Sequence, residues 1–281
     1  RAQEAGLNTK PIPSSGERMP VVGIGTRSYN TGASDEEMSQ FRAPLEAFFE
    51  GGGVLLDTAA GYGDDTSEEV LGDLVTTLGH GDTVFWATKV DREGREEGIA
   101  RREASFEKLQ TEQVDLMQVH NLRGTANQLA TIRDWIAAGR IRYCGVTTSS
   151  DRQYADLEQV MRNEELDFIQ VDYSLGNRSA EERILPLAQD RGMAVLINLP
   201  FGRARLFDAV GDRPLPDWAG EIDCASWGQV FLKYVVSHPA VTCAIPGTTK
   251  PHHAVDNIAA ARGRMPDAAM RRRMESFFDG L

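Results

Sequence analysis

Cysteine, long apolar runs and positive charge are all scarce in this chain of 281 residues. The three cysteines, Cys144, Cys224 and Cys243, form no even disulfide set, and neither they nor the histidines stand at metal-site spacings, so we expect no bound metal. Cys144 and Cys243 lie in strand-like runs, where we expect them to pack in the core. No apolar run is long enough to span a bilayer, so we expect no membrane-spanning helix.

The shortage of positive charge limits the partners of the protein. Lysine and arginine number 30 against 42 aspartates and glutamates, a formal net charge of -12. Such a surface repels phosphate backbones and anionic lipids, so we expect neither a nucleic acid nor a membrane as a partner. The one basic cluster is interpreted as the solvated face of the last helix, and it consists of Arg262, Arg264, Arg271, Arg272 and Arg273.

What is present is an ordinary globular composition, with 41% hydrophobic and 26% charged residues. No linker rich in proline or serine and no charge run divides the chain, so residues 1–281 are interpreted as a single domain. The chain begins at Arg1 rather than at a methionine. We expect a cytoplasmic monomer or weak oligomer, and an exported form whose N-terminal signal has been removed stays open.

Short apolar runs of strand length alternate with helical patterns along the chain. The hydrophobicity within each run is continuous rather than alternating, which indicates parallel strands covered on both faces. Eight such units favour a closed (β/α)8 barrel over a doubly wound sheet. The strand-like runs are 20–26, 54–59, 83–90, 114–120, 141–148, 167–174, 193–200 and 241–248. The helical patterns are one opened by a capping box at Ser34 and Glu37, then 67–78, 94–110, 126–138, 151–162, 181–191, 225–237, 252–261 and a further C-terminal helix at 266–279.

Two other segments stand out. Residues 7–20 predict a short hairpin around Ser14, Ser15 and Gly16, which we expect to close the lower end of the barrel. Residues 201–225 form the one long connection. A loop of that length after a barrel strand is more often functional than not.

Four polar side chains occur where the strands end, which is where such barrels build their active sites. Asp57 ends the second strand with Tyr62 on its glycine-rich loop, Lys89 ends the third strand, and His120 ends the fourth. Each has a structural alternative when taken singly: a loop cap, a packed ring or a satisfied core group. A lysine in a barrel mouth, however, needs a counter-charge, which Asp57 one strand away can supply.

Together the four side chains suit proton delivery to an oxygen. A phenol is a poor acid at neutral pH, and a neighbouring ammonium favours its ionised form. Tyr62 is therefore interpreted as a proton donor, with Asp57 holding Lys89 and His120 orienting a substrate oxygen. Such an acid serves hydride arrival at a carbonyl carbon. A dinucleotide-binding sensor or regulatory barrel with little turnover, and a Schiff-base enzyme using Lys89, stay open as alternatives.

The chain resembles the aldo-keto reductases over nearly its whole length. The resemblance implies a (β/α)8 barrel that reduces aldehyde and ketone carbonyls to alcohols with NAD(P)H. It also implies a catalytic tetrad made of Asp57, Tyr62, Lys89 and His120. The matching stretches are PVVGIGT, LLDTAAGYGDDTSEEVLG, VFWATKV, VDLMQVHN, GRIRYCGVTTSS, FIQVDYS and AIPGTTKPHHAVDNIAAA.

The resemblance also assigns the nicotinamide end of the cofactor site. Family members bind the dinucleotide without a Rossmann fold, and residues 23–25 here lack the third glycine of that fingerprint. Gln170 matches the residue that holds the carboxamide. Thr147 and Thr148 stand where the family usually has serine and asparagine. Asn198 stands where a tyrosine often stacks on the nicotinamide, a role that Phe201 can take.

At the adenosine end, the segment before the last barrel helix resembles the family's phosphate-binding stretch. Lys250 can meet a 2'-phosphate, while His253 stands where an arginine is common. We therefore expect NADPH as the cofactor, with NADH as the alternative. The expected cofactor-binding residues are Gly25, Thr26, Asp57, Thr147, Thr148, Gln170, Asn198, Pro200, Phe201, Gly202, Gly247, Thr248, Thr249, Lys250, His253, Asp256 and Asn257.

The expected substrate wall is polar. Family members often place aromatic residues after the first, third and fourth strands, where this chain has Arg27, Asp91 and Asn121. Such a wall suits a polar or anionic small-molecule carbonyl compound as the substrate. The alternative is that these three side chains face solvent and that loops supply other walls.

Overall fold

The computed structural model describes residues 6–30 and 35–281, so the predicted capping residue Ser34 lies outside the described residues. The described chain begins with an antiparallel hairpin of β1 (Thr9–Pro11) and β2 (Arg18–Pro20), in which Lys10 faces Met19 across the ladder. The predicted hairpin is therefore confirmed. No helix within the described ranges is long and apolar enough to cross a membrane.

Eight parallel strands then form one sheet in which each strand pairs with the next along the chain. Isolated bridges from Val22 to Ala244 and from Gly25 to Gly247 join the first of these strands to the last. The predicted (β/α)8 barrel is confirmed. The strands are β3 (Ile24–Gly25), β4 (Leu55–Asp57), β5 (Phe85–Val90), β6 (Val114–Val119), β7 (Ile141–Thr147), β8 (Phe168–Asp172), β9 (Ala194–Asn198) and β10 (Cys243–Ala244).

The first and last strands are shorter than their apolar runs predicted. β3 and β10 each place two residues in the ladder with their other neighbour. Between the two strands, the barrel is closed by those bridges and by single hydrogen bonds, such as the one from Gly23 N to the Ala244 carbonyl at 2.8 Å. A side chain at Gly25 would stand 2.9 Å from the Ile245 carbonyl, so glycine permits this close approach where the barrel closes.

The hairpin closes the end of the barrel opposite to the strand C-termini. Ile12 and Met19 are buried in one apolar cluster with Leu55, Phe85 and Phe168, which are the first residues of their strands. Lys10 also donates hydrogen bonds to the carbonyls of Val236, His238 and Val241 at 2.6–2.8 Å. The expectation that this segment plugs the lower end is confirmed.

The helices cover the outside of the sheet and bury their apolar faces in the main core. Their ends follow local signals: Ser226 and Asp267 cap two N-termini, Pro251 opens a third helix, and Gly79 ends another in the left-handed conformation. The helices are α1 (Asp35–Glu50), α2 (Ser67–Leu78), α3 (Arg95–Leu109), α4 (Thr125–Ala137), α5 (Tyr154–Asn163), α6 (Ile184–Asp190), α7 (Arg205–Val210), α8 (Trp227–Val236), α9 (Pro251–Ala259) and α10 (Ala268–Asp279).

Two sequence expectations about the helices need correction. The patterns at 151–162 and 181–191 begin as single 3-10 turns, Asp151–Gln153 and Ser179–Glu181, before the α-helices start. The connection 201–225 is structured: it contains α7 and a 3-10 helix at Asp217–Ile222. It folds because Leu206, Val210, Trp218 and Ile222 are buried against the main core.

The arginine cluster is not one solvated helix face. Arg262 and Arg264 precede α10 and bond to the Gly51 carbonyl and to Asp223. Arg271 lies on α10 but is buried, while Arg272 and Arg273 are exposed. All three cysteines are free and buried, as the strand context of two of them predicted.

Candidate active site

The four predicted tetrad residues meet at the C-terminal edge of the barrel. Asp57 ends β4, Lys89 is the next-to-last residue of β5, and His120 follows β6 as the first residue of a 3-10 turn. Tyr62 lies on the loop between β4 and α2. Because neighbouring parallel strands end at the same edge, residues far apart in the sequence become neighbours there.

The loop that carries Tyr62 is shaped by one of its two flanking glycines. Gly63 has φ +58, and a side chain there would stand 2.1 Å from the Tyr29 carbonyl oxygen. A side chain at Gly61 would make only ordinary contacts, the nearest at 3.8 Å, and its φ lies outside the left-handed region. At the start of α2, Ser67 donates to the Thr26 carbonyl at 3.1 Å and lies 3.1 Å from the Thr58 hydroxyl. Gly63 and the Ser67 bonds therefore position the tyrosine.

Lys89 and Asp57 form a buried ion pair. Lys89 Nζ lies 2.6 Å from Asp57 Oδ2 and 2.6 Å from the Thr58 carbonyl oxygen, and the two charged side chains are 1% and 2% exposed. The same ammonium lies 4.7 Å from the centroid of the Tyr62 ring. A fixed positive charge thus stands beside the phenol.

The electrostatics of the site keep the lysine charged and the histidine neutral. Burial alone would lower the pKa of Lys89, but the Asp57 charge, the neighbouring Tyr62 hydroxyl and the hydrogen bond to Asp57 raise it above its usual value. Burial and the Lys89 charge lower the pKa of His120 to about 4. His120 is therefore a neutral imidazole at physiological pH, and a neutral imidazole can donate one hydrogen bond.

Tyr62 and His120 form the two sides of the place where a substrate oxygen can lie. Their rings meet edge to face, with centroids 5.8 Å apart. Both side chains are half-buried, whereas Lys89 is enclosed behind them. The arrangement can deliver a proton from the phenol to an oxygen that His120 orients.

Asp57 is held from its other side by two glutamines. Gln118 Nε2 and Gln170 Nε2 donate to Asp57 Oδ1 at 3.3 and 2.8 Å. Gln170 in turn accepts from Asn198 Nδ2 at 3.3 Å. The resemblance predicted Gln170 as a carboxamide ligand, and the structure adds that its amide nitrogen is engaged by Asp57.

A cavity of about 950 Å³ opens above the tetrad. Asp57, Tyr62 and His120 line it, together with eighteen further residues expected to bind cofactor or substrate. Of the expected cofactor set, Gly202 is not among its lining residues. The further lining residues are Gly25, Thr26, Arg27, Asp91, Asn121, Thr147, Thr148, Gln170, Asn198, Pro200, Phe201, Gly247, Thr248, Thr249, Lys250, His253, Asp256 and Asn257.

Other wall residues were not predicted. Arg203, Ala204 and Phe207 belong to the long connection that the sequence marked as functional. Ser226 and Trp227 open α8, a helix that the sequence predicted at 225–237 without assigning its N-terminus to the site.

Lys250 and the N-terminus of α9 form a place for an anion on the cavity wall. Lys250 is exposed and precedes Pro251, the first residue of α9. The Thr248 hydroxyl accepts from Lys250 N at 3.0 Å, and the Thr248 carbonyl accepts from the Tyr29 hydroxyl at 2.9 Å. A cation and the free N–H groups of a helix start suit a phosphate.

The three expected substrate residues all line the cavity, but they differ in charge balance. Asp91 is paired with Arg92 at 2.6 Å and lies 3.6 Å from Arg101. Arg27 is exposed and forms no ion pair with any residue of 6–30 or 35–281. Asn121 is exposed and has φ +53. Of the two charged residues, only Arg27 is left to balance a charge on a ligand.

Known proteins resemble this chain along most of its length. A family model described as "Aldo/keto reductase family" matches residues 21–276. The methylglyoxal reductase YeaE of Escherichia coli (strain K12) is 31% identical over 273 residues, which are 94% of this chain and 93% of that protein. An aldo/keto reductase from Klebsiella pneumoniae in complex with NADP and acetate has a TM-score of 0.81 at 25% identity, over 97% of this chain and 96% of that one. A Klebsiella pneumoniae aldo-keto reductase structure in complex with NADPH has a TM-score of 0.80 at 26% identity, over 97% and 95%.

Proposed function

The chain belongs to the aldo/keto reductase family and is an NADPH-dependent oxidoreductase of small-molecule carbonyl compounds, and we propose that Asp57, Tyr62, Lys89 and His120 perform its proton transfer. The observation that carries this proposal is the buried Lys89–Asp57 pair with its ammonium 4.7 Å from the Tyr62 ring centroid. A reductase needs a proton donor beside the carbonyl oxygen, and this arrangement supplies one.

The residues of the cavity fit a nicotinamide dinucleotide. The cavity joins the tetrad to the anion-binding start of α9, so one elongated ligand can reach both. Lys250 and Thr248 would hold a phosphate, and Gln170 and Asn198 would face the nicotinamide end. When bound, the dinucleotide supplies the hydride that reduces the carbonyl carbon.

The tetrad residues have separate tasks in the proposed reaction. His120, neutral because its pKa is about 4, donates a hydrogen bond to the carbonyl oxygen and orients it. Tyr62 gives its hydroxyl proton to that oxygen as negative charge develops there. Lys89 stabilises the phenolate that is left, and Asp57 keeps Lys89 in place. A charged, carboxylate-paired lysine is a poor Schiff-base nucleophile, so the aldolase-like alternative is not favoured.

Replacing the proton donor tests this assignment. Tyr62→Phe removes only the hydroxyl, so we expect carbonyl turnover to fall by about a hundredfold or more while NADPH affinity stays near wild type. Methylglyoxal, named in the Escherichia coli relative, is a suitable first substrate. Turnover is followed by NADPH absorbance and affinity by fluorescence titration.

A matched control uses the same substitution at the other end of the barrel. Tyr143 is buried beside Phe85 and Phe168 in the lower cluster, so Tyr143→Phe should leave turnover within about twofold of wild type. If Tyr62→Phe keeps most of the reductase activity, the role given to Tyr62 is wrong.

We further propose that residues 1–281 act as one domain, in a cytoplasmic protein that is a monomer or weak oligomer. One hydrophobic cluster with members from Val21 to Met274 supports the single domain. Three free cysteines support a reducing compartment.

A further inference from the structure

Asn198 leaves one polar atom without a partner on the wall of the cavity. It ends β9 and is among the residues lining the cavity. Its Nδ2 donates to the Thr148 carbonyl at 3.1 Å and to Gln170 Oε1 at 3.3 Å. Its Oδ1 is buried and has no hydrogen-bond partner, and within residues 6–30 and 35–281 it is the one buried side-chain acceptor in this state. A buried acceptor without a donor is costly, which points to a ligand that donates.

The direction of this amide is set by the active-site carboxylate. Asp57 Oδ1 can only accept when ionised, so Gln170 must present its nitrogen to it, as it does at 2.8 Å. Gln170 Oε1 then faces Asn198 and requires a donor, which fixes the Asn198 nitrogen inward. The chain of bonds from Asp57 through Gln170 to Asn198 therefore ends in an acceptor, and neither amide can flip without breaking it.

The neighbouring groups are already engaged. Both amide hydrogens of Gln170 are used, by Asp57 and by Gln118 Oε1 at 3.2 Å. The Thr148 hydroxyl donates to Gln153 Oε1 at 2.7 Å and accepts from Ser150 N at 3.2 Å. The Thr148 hydroxyl is therefore engaged by neighbouring residues rather than left without a partner.

We propose that Asn198 Oδ1 accepts a hydrogen bond from the carboxamide NH2 of the nicotinamide, and that Asn198 is thus a cofactor-recognition residue coupled to Asp57. The inference rests on the proposed function, which brings the nicotinamide to the tetrad. The carboxamide NH2 is the only N–H donor at the reacting end of the dinucleotide, so it is the group that suits the Asn198 acceptor. The coupling to Asp57 runs through two hydrogen bonds, one between Asp57 and Gln170 and one between Gln170 and Asn198.

The test compares NADP+ with its 3-acetylpyridine analogue, in which a methyl group replaces the NH2. Dissociation constants are measured by protein-fluorescence titration. We expect the wild type to bind the analogue about 3- to 10-fold more weakly, the effect of one hydrogen bond. In Asn198→Leu, which has a similar volume and no acceptor, the two nucleotides should bind within about twofold of each other.

The matched control is Ser149→Ala, which removes a wall hydroxyl outside the expected cofactor set and should keep the wild-type ratio. Equal binding of both nucleotides by the wild type, or an unchanged ratio in Asn198→Leu, would overturn the inference. The wild-type comparison decides even if the variant fails to fold. Failure of the wild type to bind either nucleotide would instead contradict the proposed cofactor site itself.

Discussion

At the scale of residues, three lysines with hydrogen-bonded ammonium groups show how the partner of an ammonium sets its pKa. Lys89 and Lys233 are buried, and Lys10 is half-buried. Lys233 is fully buried and donates to the carbonyls of Ile222, Arg262 and Arg264 at 2.7–3.0 Å, and burial lowers its pKa. Lys10 is also bonded to carbonyls, and burial lowers its pKa to about 8. Lys89 alone of the three has a carboxylate partner, and its pKa is raised. A full charge opposite Lys89 therefore keeps it protonated beside Tyr62.

Arg27 leads to a prediction about the substrate. It lines the cavity without an ion pair to a described residue, and its charge contributes to the lowered pKa of His120, so it stands within electrostatic range of the tetrad. A carboxylated carbonyl compound should therefore be reduced better than an apolar one of similar size. We expect kcat/KM for 4-carboxybenzaldehyde to exceed that for 4-methylbenzaldehyde by about tenfold, the lower end of a charge-assisted hydrogen bond.

The variant Arg27→Gln should abolish that preference, and added salt should weaken it in the wild type. Lys250→Gln serves as the control, since Lys250 is a second exposed cation on the cavity wall that is expected to meet the cofactor rather than the substrate. If the wild type prefers the methyl compound and Arg27→Gln changes nothing, Arg27 faces solvent.

At the scale of elements, the buried guanidinium of Arg271 links the C-terminal helix α10 to the barrel by hydrogen bonds. Arg271 donates to the Tyr173 hydroxyl at 2.7 Å, to Glu181 at 3.0 Å, and to the Tyr234 carbonyl. Its guanidinium also lies 4.1 Å from the Tyr234 ring centroid. These contacts connect α10 with the end of β8 and with α8.

Removing this guanidinium should loosen α10. Arg271→Met leaves Glu181 and the Tyr234 carbonyl without their donor, so we expect the free energy of unfolding to fall by about 2–4 kcal/mol. Arg272→Met, one residue along on the exposed side, should change it by less than about 0.5 kcal/mol. Urea unfolding at pH 7 measures both free energies. Equal effects would show that the buried contacts of Arg271 contribute no more to stability than the exposed Arg272 does.

At the scale of the whole molecule, two histidines should make stability depend on pH. Burial lowers the pKa of both His120 and His238 to about 4; at His238 the charges of Arg271 and Lys10 act in the same direction and Glu181 opposes them. In the unfolded chain a histidine has a pKa near 6.5. Between these values the unfolded state binds more protons, so stability is full above about pH 6.5 and is lost as pH falls toward 4.

We expect each histidine to remove about 1–2 kcal/mol of stability between pH 7 and pH 5. His238→Gln should therefore reduce the loss measured by urea unfolding at the two pH values. His252→Gln, an exposed position on α9, is the control and should leave the loss unchanged. An identical pH dependence in wild type and His238→Gln would show that folding does not lower the pKa of His238.

The sequence by itself determined the order of strands and helices and the identity of the four tetrad candidates. Continuous apolar runs, capping residues and glycines are local signals, and local signals are enough to predict a (β/α)8 barrel and to place polar residues at its strand ends. The resemblance predicted most of the cavity wall as well, while the catalytic roles stay predictions.

Only the tertiary structure decided how those residues are engaged. Asp57 and Gln170 are 113 positions apart, and Arg271 and Tyr173 are 98 apart, so no local pattern shows that they bond. The same holds for α7, which folds because the core covers it, and for Gly63, whose need for glycine comes from the distant Tyr29 carbonyl. Burial and the direction of a hydrogen bond depend on which distant groups meet, and only the folded chain brings those groups together.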